Sequence, residues 1–378
     1  MIQSSLYFHI PYCKQACTYC DFHFSTNTAT KEGVLHQMNA EMKMRGLRTP
    51  WNSLQVKSLY FGGGTPSILS SNEIEGLIKS ARNYFALAKN IEVTLEANPD
   101  DITAEKLEQW YEIGINRLSV GIQSFSDSEL KACNRAHDSE TAHEALRLIN
   151  ASSINNFSID LIYGMVDSTV QSWYDNLATA LSYAPNHISC YSLTVEEKTA
   201  LAHQVNTGLV TLPEDDVVVA QFEYLRQWAN KYGYDHYELS NFCKPGQQSH
   251  HNKHYWSYQP YLGIGPGAHS FDGAKRFWNV NNNKRYINSA PLEAETLSIS
   301  EQINERLMVR LRTSEGFRYQ RDLPKDIPIR IKTQLLKNVD NAMSRGDLFP
   351  LPDGYKILPE KWMRSDHIIT NLFVDPES

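Results

Sequence analysis

The sequence predicts an α/β fold in which a partial or full (β/α) barrel is followed by a smaller, mainly helical C-terminal domain. Two observations predict it. From residue 6 to about residue 240, six or seven short β-rich runs alternate with amphipathic segments, a pattern typical of a parallel sheet covered by helices. After about residue 240 this alternation stops and helical patterns follow a loop-rich stretch.

The strand candidates are short runs rich in β-branched and aromatic residues. In chain order they span residues 6–10, 58–61, 91–96, 117–122, 157–162, 187–193 and 235–239. Three of the segments between them begin with a capping-box pattern, at residues 70–73, 126–129 and 168–171. In that pattern, side chains satisfy the free amide groups at a helix N-terminus.

The chain divides into three predicted segments. Residues 1–240 form the barrel, residues 241–290 a loop-rich segment full of His, Asn, Tyr, Gly and Pro, and residues 291–378 the helical domain. Helical patterns within the last segment cover residues 300–311, 329–344 and 366–373, with a short β-wing near residue 354.

Composition excludes several classes of protein. The chain has 378 residues, 41% of them hydrophobic, and a net charge of −7. No run approaches the ~18 consecutive apolar residues of a membrane span, although a peripheral membrane contact is compatible with this composition. The absence of any Lys/Arg run argues against nucleic-acid binding. The N-terminus has no secretory signal pattern, and six cysteines without paired spacing fit a reducing compartment, so we expect a cytoplasmic protein.

Three cysteines are packed into eight residues after the first predicted strand: Cys13, Cys17 and Cys20. Three thiolates at this spacing can hold three corners of a 4Fe-4S cluster and leave the fourth iron without a protein ligand. A zinc site completed by His9 or His23 is an alternative. Zinc ligands usually come as two separated pairs, however, and no second cysteine pair follows.

Other candidate site residues lie at the carboxyl ends of the predicted strands, where barrel enzymes build their active sites. A glycine turn, Gly62-Gly63-Gly64-Thr65, lets a ligand approach the main chain closely. Glu96 could accept hydrogen bonds from an amine or from ribose hydroxyls, or it caps the following turn. Buried polar residues need partners, and these strand ends carry Gln123 and Asp160, while Arg135 offers a planar fork to a carboxylate.

The cysteine motif, with Tyr19 before the last cysteine, resembles that of the radical SAM superfamily. The longer strings Tyr7-Phe-His-Ile-Pro-Tyr-Cys13 and Cys20-Asp-Phe22 resemble the branch that contains oxygen-independent coproporphyrinogen III oxidases and HemW-like haem chaperones. The resemblance implies a 4Fe-4S cluster whose open iron chelates S-adenosylmethionine. It also implies a reductant such as flavodoxin or ferredoxin, whose electron cleaves a carbon–sulfur bond of that cofactor.

The resemblance also implies which residues bind the cofactor. The glycine turn is expected to meet the methionine portion of S-adenosylmethionine, and the polar residues at the later strand ends to hold its polar ends. The expected cofactor-binding residues are Tyr7, Tyr19, Phe22, Gly63, Gly64, Thr65, Glu96, Gln123, Arg135 and Asp160.

Two features separate the members of this branch. The oxidases carry a fourth cysteine where this chain has Phe22, and a long arm before the first strand where this chain has a handful of residues. The string His251-Asn252-x-x-Tyr255-Trp256 resembles the HemW signature, in which the histidine is associated with haem, and imidazole is a common axial ligand of haem iron. The alternative is that His251 is a hydrogen-bonded loop histidine and the two aromatic residues belong to the core.

The function expected from the sequence is therefore that of a radical SAM protein that binds haem or porphyrin and delivers haem to acceptor proteins. The alternative is oxidative decarboxylation of coproporphyrinogen III, begun by hydrogen abstraction from a propionate side chain. A radical enzyme acting on another small substrate is the third hypothesis. The resemblance leaves open whether a radical reaction accompanies haem delivery.

Overall fold

The fold is built on one twelve-stranded sheet in a computed structural model that describes residues 3–375. Its strands are β1 (Gln3–Ile10), β2 (Gln55–Gly63), β3 (Ala86–Ala97), β4 (Arg117–Gln123), β5 (Phe157–Tyr163), β6 (His187–Ser192), β7 (Asp235–Glu238), β8 (Asn241–Cys243), β9 (Tyr261–Ile264), β10 (His269–Phe271), β11 (Lys275–Trp278) and β12 (Glu293–Thr296).

The helices of this part of the chain mostly connect parallel strands. They are α1 (Lys31–Gly46), α2 (Ser71–Tyr84), α3 (Ala104–Glu112), α4 (Asp127–Ala132), α5 (Ser139–Ala151), α6 (Val170–Ser182), α7 (Ala200–Asn206), α8 (Asp215–Lys231), α9 (His250–Trp256) and α10 (Asn283–Ile287). None of the helices within residues 3–375 combines the length and apolarity needed to cross a membrane.

Strands β1 to β6 are parallel neighbours in chain order, and β9 joins them as a parallel neighbour of β1. Antiparallel strands extend both edges, so the order is β12-β11-β10-β9-β1-β2-β3-β4-β5-β6-β8-β7. The sheet therefore ends at β12 on one side and at β7 on the other. The predicted α/β class is confirmed, and the barrel is the partial form.

The structure differs from the predicted pattern after residue 235. Residues 235–239 were expected to form a further parallel strand, but β7 forms an antiparallel hairpin with β8, which pairs with β6. The stretch 241–290 is not only loop, because β8 to β11 continue the main sheet. Strands of three or four residues contain too few alternations for the sequence pattern to reveal them.

Two predicted helix starts illustrate how local chemistry sets the boundaries. The first capping box is confirmed: the Ser70 hydroxyl accepts from the amide of Glu73, whose carboxylate accepts from the amide of Ser70 at 2.8 Å. The third lies one residue later than predicted, with Thr169 and Ser172 as its partners. The shift occurs because the Ser172 hydroxyl, rather than the side chain before it in the helix, reaches back to the Thr169 amide at 2.9 Å.

The C-terminal part contains the expected helices and a small β-wing. The helices are α11 (Ile299–Arg310), α12 (Tyr319–Asp322), α13 (Ile329–Ser344) and α14 (Ser365–Thr370), and the antiparallel sheet consists of β13 (Phe317–Arg318), β14 (Phe349–Leu351) and β15 (Gly354–Lys356). The buried Trp362 packs edge-on against His236 of β7, with ring centroids 4.4 Å apart. This contact helps attach the helical part to the edge of the large sheet.

A buried carboxylate joins α1 to the strands that extend the barrel. Glu41 accepts hydrogen bonds from Tyr286 Oη at 2.7 Å, Asn279 Nδ2 at 2.9 Å and the amide of Gly265 at 3.1 Å. All three donors belong to the segment after β9, so one side chain fixes that segment against the first helix.

Replacing Glu41 with Ala should lower the free energy of unfolding by about 3 kcal/mol or more. The substitution leaves the Tyr286 hydroxyl and the Gly265 amide without an acceptor and removes one of the hydrogen bonds of Asn279 Nδ2, which also donates to the Gly265 carbonyl. Each buried donor left unpaired costs roughly 1–3 kcal/mol. Urea unfolding followed by circular dichroism measures the change. Glu32→Ala, at an exposed position of the same helix, is the control and should change stability by less than about 0.5 kcal/mol. Equal effects of the two substitutions would contradict this role of Glu41.

Candidate cofactor site at the carboxyl ends of the strands

A cavity of about 530 Å³ opens at the carboxyl ends of β2 to β6, facing the cysteine loop. Most of the predicted site residues line it: Cys13, Cys17, Tyr19, Cys20, Phe22, Gly63, Gly64, Thr65, Glu96, Gln123, Arg135 and Asp160. Parallel strands bring their carboxyl ends to one edge, which is why residues far apart in the sequence meet here. Tyr7 and His251, also predicted, are not among the lining residues.

The cysteine loop is held at its two ends by main-chain hydrogen bonds. The Cys13 amide donates to the Ser25 carbonyl at 3.1 Å, and the Cys20 amide donates to the Cys17 carbonyl at 3.3 Å. Burial raises the pKa of Cys13 to about 11 and also raises the pKa of Cys20. Cationic metal centres favour the thiolate form, and three soft sulfur donors beside one cavity suit a 4Fe-4S cluster.

The two histidines of the zinc alternative have other partners. His9 is buried, with Nδ1 3.2 Å from Tyr7 Oη and Nε2 2.9 Å from the His23 carbonyl. The Nε2 of His23 lies 2.8 Å from Asn283 Oδ1. Within residues 3–375, no three His, Cys, Asp or Glu side chains are grouped closely enough to ligate one single metal ion, whereas the ligands of a cluster are spread over several irons. The geometry therefore does not favour a Cys3His zinc site.

The glycine turn lies directly against the cysteine loop. Gly63 has φ +113°, a conformation that side chains disfavour. A Cβ at Gly64 would lie 2.7 Å from the Tyr12 carbonyl oxygen and 3.0 Å from Cys13 Sγ. The Thr65 amide donates to the same Tyr12 carbonyl at 2.7 Å. Glycine is thus required at position 64 for the turn and the cysteine loop to pack together.

Glu96 is half-buried beneath this turn. Its carboxylate accepts from Tyr60 Oη at 2.8 Å and from the Gly63 amide at 3.2 Å. Burial raises its pKa to about 7, even though both hydrogen bonds oppose the shift, and nearby Asp160 raises it further. A cationic ligand in the cavity would favour the ionised carboxylate.

Gln123 ends β4 with φ +66°, which is uncommon for a residue other than glycine. The next residues are fixed by a buried network: Ser124 Oγ donates to Glu129 Oε2 at 2.5 Å, and the Phe125 amide donates to Asn176 Oδ1 at 2.6 Å. The predicted capping box at residues 126–129 is wrong because the Glu129 side chain turns inward to this network. The network positions the strained end of β4.

Arg135 is half-buried, and its guanidinium lies at the edge of the cavity. Its Nη1 donates to Cys17 Sγ at 3.2 Å, and its Nη2 donates to Asn98 Oδ1 and to the Gly121 carbonyl, both at 2.9 Å. Its buried Nε–H has no hydrogen-bond partner among the described residues. An unsatisfied cationic donor beside the cysteines fits the carboxylate of an amino-acid ligand.

Asp160 faces the cavity from β5 and is held by serine hydroxyls. Ser119 Oγ donates to Oδ2 at 2.8 Å and Ser158 Oγ to Oδ1 at 3.0 Å. Burial raises the pKa of Asp160. These serines were not predicted as site residues, although their positions in otherwise apolar strands are a detectable signal.

His251 lies outside the cavity, behind Tyr60. Its Nδ1 is 2.9 Å from Ser58 Oγ, its Nε2 is 3.0 Å from Tyr255 Oη, and its ring stacks on Tyr60 with centroids 4.6 Å apart. The side chain is 1% exposed. Because both ring nitrogens are buried and engaged, the expected haem-ligand role of His251 is not supported. The structure agrees with the alternative, a hydrogen-bonded histidine. Tyr7 lies beside it and contacts the same Tyr60 ring.

Comparison with known proteins agrees with this geometry. A model of the Radical SAM superfamily matches residues 7–178. The structure of Coproporphyrinogen III oxidase (HemN) from Escherichia coli superposes with a TM-score of 0.83 at 21% identity, covering 99% of this chain and 90% of that one. At this identity the likeness concerns the fold alone. Fold, cysteine loop and family match together define a radical SAM protein.

Sequence similarity to known relatives identifies the family within the radical SAM proteins. The chain is 31% identical to Heme chaperone HemW of Synechocystis sp., over all of this chain and 94% of the relative. It is 37% identical to Heme chaperone HemW of Escherichia coli, over 70% of this chain and 69% of the relative, and 33% identical to that of Bacillus subtilis, over 82% and 84%. The chain belongs to the HemW family.

Replacing Gly64 with Ala should remove most of the iron that the protein binds on anaerobic reconstitution. The new methyl group would collide with Tyr12 and Cys13, and such overpacking costs about 1–3 kcal/mol or displaces the loop. Iron and sulfide analysis measures the loss. Gly76→Ala on α2 is the control, because a Cβ at that position would have no atom within 4 Å, and it should keep wild-type iron. Full iron content in Gly64→Ala would contradict the proposed packing.

Replacing Glu96 with Gln should change how stability depends on pH. The pKa of Glu96 rises from an ordinary 4.5 to about 7 on folding, so its stabilising contribution is complete below pH 4.5 and is lost as pH rises through 7. Between pH 4.5 and 8, the cofactor-free wild type should lose about 2–3 kcal/mol relative to Glu96→Gln. Urea unfolding at several pH values measures the difference. Parallel pH curves for the two proteins would contradict the elevated pKa.

Proposed function

We propose that this protein carries a 4Fe-4S cluster on Cys13, Cys17 and Cys20, binds S-adenosylmethionine beside it, and binds haem for delivery to haem-accepting proteins. The observation that carries the proposal is the similarity at 31% identity over the whole chain to a relative named as a haem chaperone. This similarity covers the helical C-terminal part as well as the barrel.

The cavity residues would divide the contacts to S-adenosylmethionine among themselves. The turn at Gly63 and Gly64 would face its methionine portion, the Arg135 guanidinium would meet its carboxylate, and Glu96 would attract its cationic groups. Gln123 and Asp160 would hold the remaining polar ends. When bound, the cluster supplies an electron and S-adenosylmethionine a carbon–sulfur bond that can be cleaved. An external reductant such as flavodoxin or ferredoxin, and a cytoplasmic location, belong to the same proposal.

The charges around the cavity disfavour coproporphyrinogen III as its occupant. Four acidic residues line it, Asp21, Glu96, Asp160 and Glu196, against one basic residue, Arg135. Coproporphyrinogen III carries four carboxylates, which such a lining would repel. The sulfonium and ammonium charges of S-adenosylmethionine suit the same lining. We therefore infer that the cavity takes the cofactor and that haem binds outside it.

Reconstituted protein should bind about one equivalent of haem and should form no protoporphyrinogen from coproporphyrinogen III. Haem titration followed at the Soret band measures the first. Incubation with coproporphyrinogen III, S-adenosylmethionine and a reductant, followed by chromatography of the porphyrins, measures the second. Cys17→Ala controls for cluster-independent effects. Turnover of coproporphyrinogen III would reverse the proposal in favour of an oxidase, and the absence of haem binding would remove the chaperone function.

A further inference from the structure

We propose that His269 of β10 ligates the haem iron, at a surface site formed where β10 pairs with β11. The inference rests on the proposed function, since it names the residue that holds the haem. His251, the histidine that the sequence pattern favoured, has both ring nitrogens engaged inside the protein.

The environments of the other histidines leave few candidates. All thirteen lie within residues 3–375, and those in the exposed class are His36, His203, His250, His269 and His367. The ring of His367 is hydrogen-bonded to Asn371. Among the described residues, only His269 combines an exposed side chain, ring nitrogens without a hydrogen-bond partner and packing against an aromatic ring.

The aromatic partner of His269 orients the imidazole. His269 and Trp278 form a cross-strand pair between β10 and β11. Their rings stack with centroids 5.7 Å apart and planes inclined by 20°. The indole is itself fixed, because Trp278 Nε1 donates to Glu293 Oε2 at 3.0 Å. A ring stacked on one flat face leaves the edge of the imidazole, which carries both nitrogens, available to a metal.

The charge state of His269 suits ligation as well. Burial of one side of the ring, together with the nearby Arg276 guanidinium, lowers the pKa of His269. The neutral imidazole therefore dominates at neutral pH, and this is the form that binds iron. An exposed position also suits a cargo that must leave again, because the haem edge stays open to an acceptor protein.

The position of His269 relates the haem to the cofactor cavity. Gly267, two residues before it, lies so close to the cysteine loop that a Cβ there would be 3.4 Å from His23 Cβ. The residue before His23 is Phe22, which is 72% exposed and lines the cavity. A phenyl ring at this place can cover the apolar face of a porphyrin. Phe22, the residue at the position of the fourth cysteine of the oxidases, thus lines the cofactor cavity next to the residue that Gly267 approaches.

The test compares haem titrations of His269→Ala and the wild type, both as full-length, reconstituted protein with ferric haem as the probe. We expect His269→Ala to weaken binding at least tenfold and to lose the absorption and electron paramagnetic resonance signals of a histidine-ligated haem. Added imidazole should restore those signals. His250→Ala is the matched control: its side chain is exposed and adjoins the signature string, and it should bind haem as the wild type does.

Unchanged S-adenosylmethionine affinity in His269→Ala would show that the variant is folded. If that variant binds haem with the affinity and spectrum of the wild type, the assignment of His269 is overturned and the proposed function stands. If the wild type binds no haem, the proposed function fails and the assignment with it. A loss of signal confined to His250→Ala would overturn the assignment in favour of that neighbour.

Discussion

The close approach of the glycine turn after β2 to the cysteine loop is the constraint on which the rest of the site depends. Main-chain atoms of Tyr12 and the sulfur of Cys13 occupy the space that any side chain at Gly64 would need. This contact places the loop over the ends of the strands. The Gly63 amide of this turn also donates a hydrogen bond to Glu96. The orientation of the Glu96 carboxylate therefore depends on the same backbone geometry.

A second level of organisation is electrostatic. The floor of the cavity holds Glu96 and Asp160, both half-buried and with raised pKa values, beside the guanidinium of Arg135, whose Nε–H has no partner among the described residues. Burying charged groups without full compensation is costly. Such a cost is typical of binding sites, where the ligand completes the missing interactions. A ligand that carries one carboxylate, one ammonium and a further positive charge would pair with the guanidinium and with the two carboxyl groups at the same time.

The parts of the molecule that could be predicted from the sequence have either a hydrophobic pattern that runs over many residues or a short motif with specific spacing. Strands β1 to β6 and helix α13 were found because their patterns run over many residues, and the three cysteines because their spacing is specific. The short strands β8 to β11 were missed, since their attachment to the sheet, through β8 to β6 and through β9 to β1, is decided by tertiary contacts. The position of His251 was also beyond the sequence, because its partners Ser58 and Tyr255 lie in other parts of the chain or one helical turn away.

The burial of His251 changes the role assigned to the string His251-Asn252-x-x-Tyr255-Trp256. The ring of His251 supports Tyr60 from behind by stacking, and Tyr60 donates its hydroxyl hydrogen bond to Glu96. A relay of three side chains therefore connects the string to the floor of the cofactor cavity. In this chain the string therefore supports the shape of that floor, whatever molecule binds at the surface. Loss of haem in a His251 variant could then arise at the cofactor rather than at the iron of the cargo.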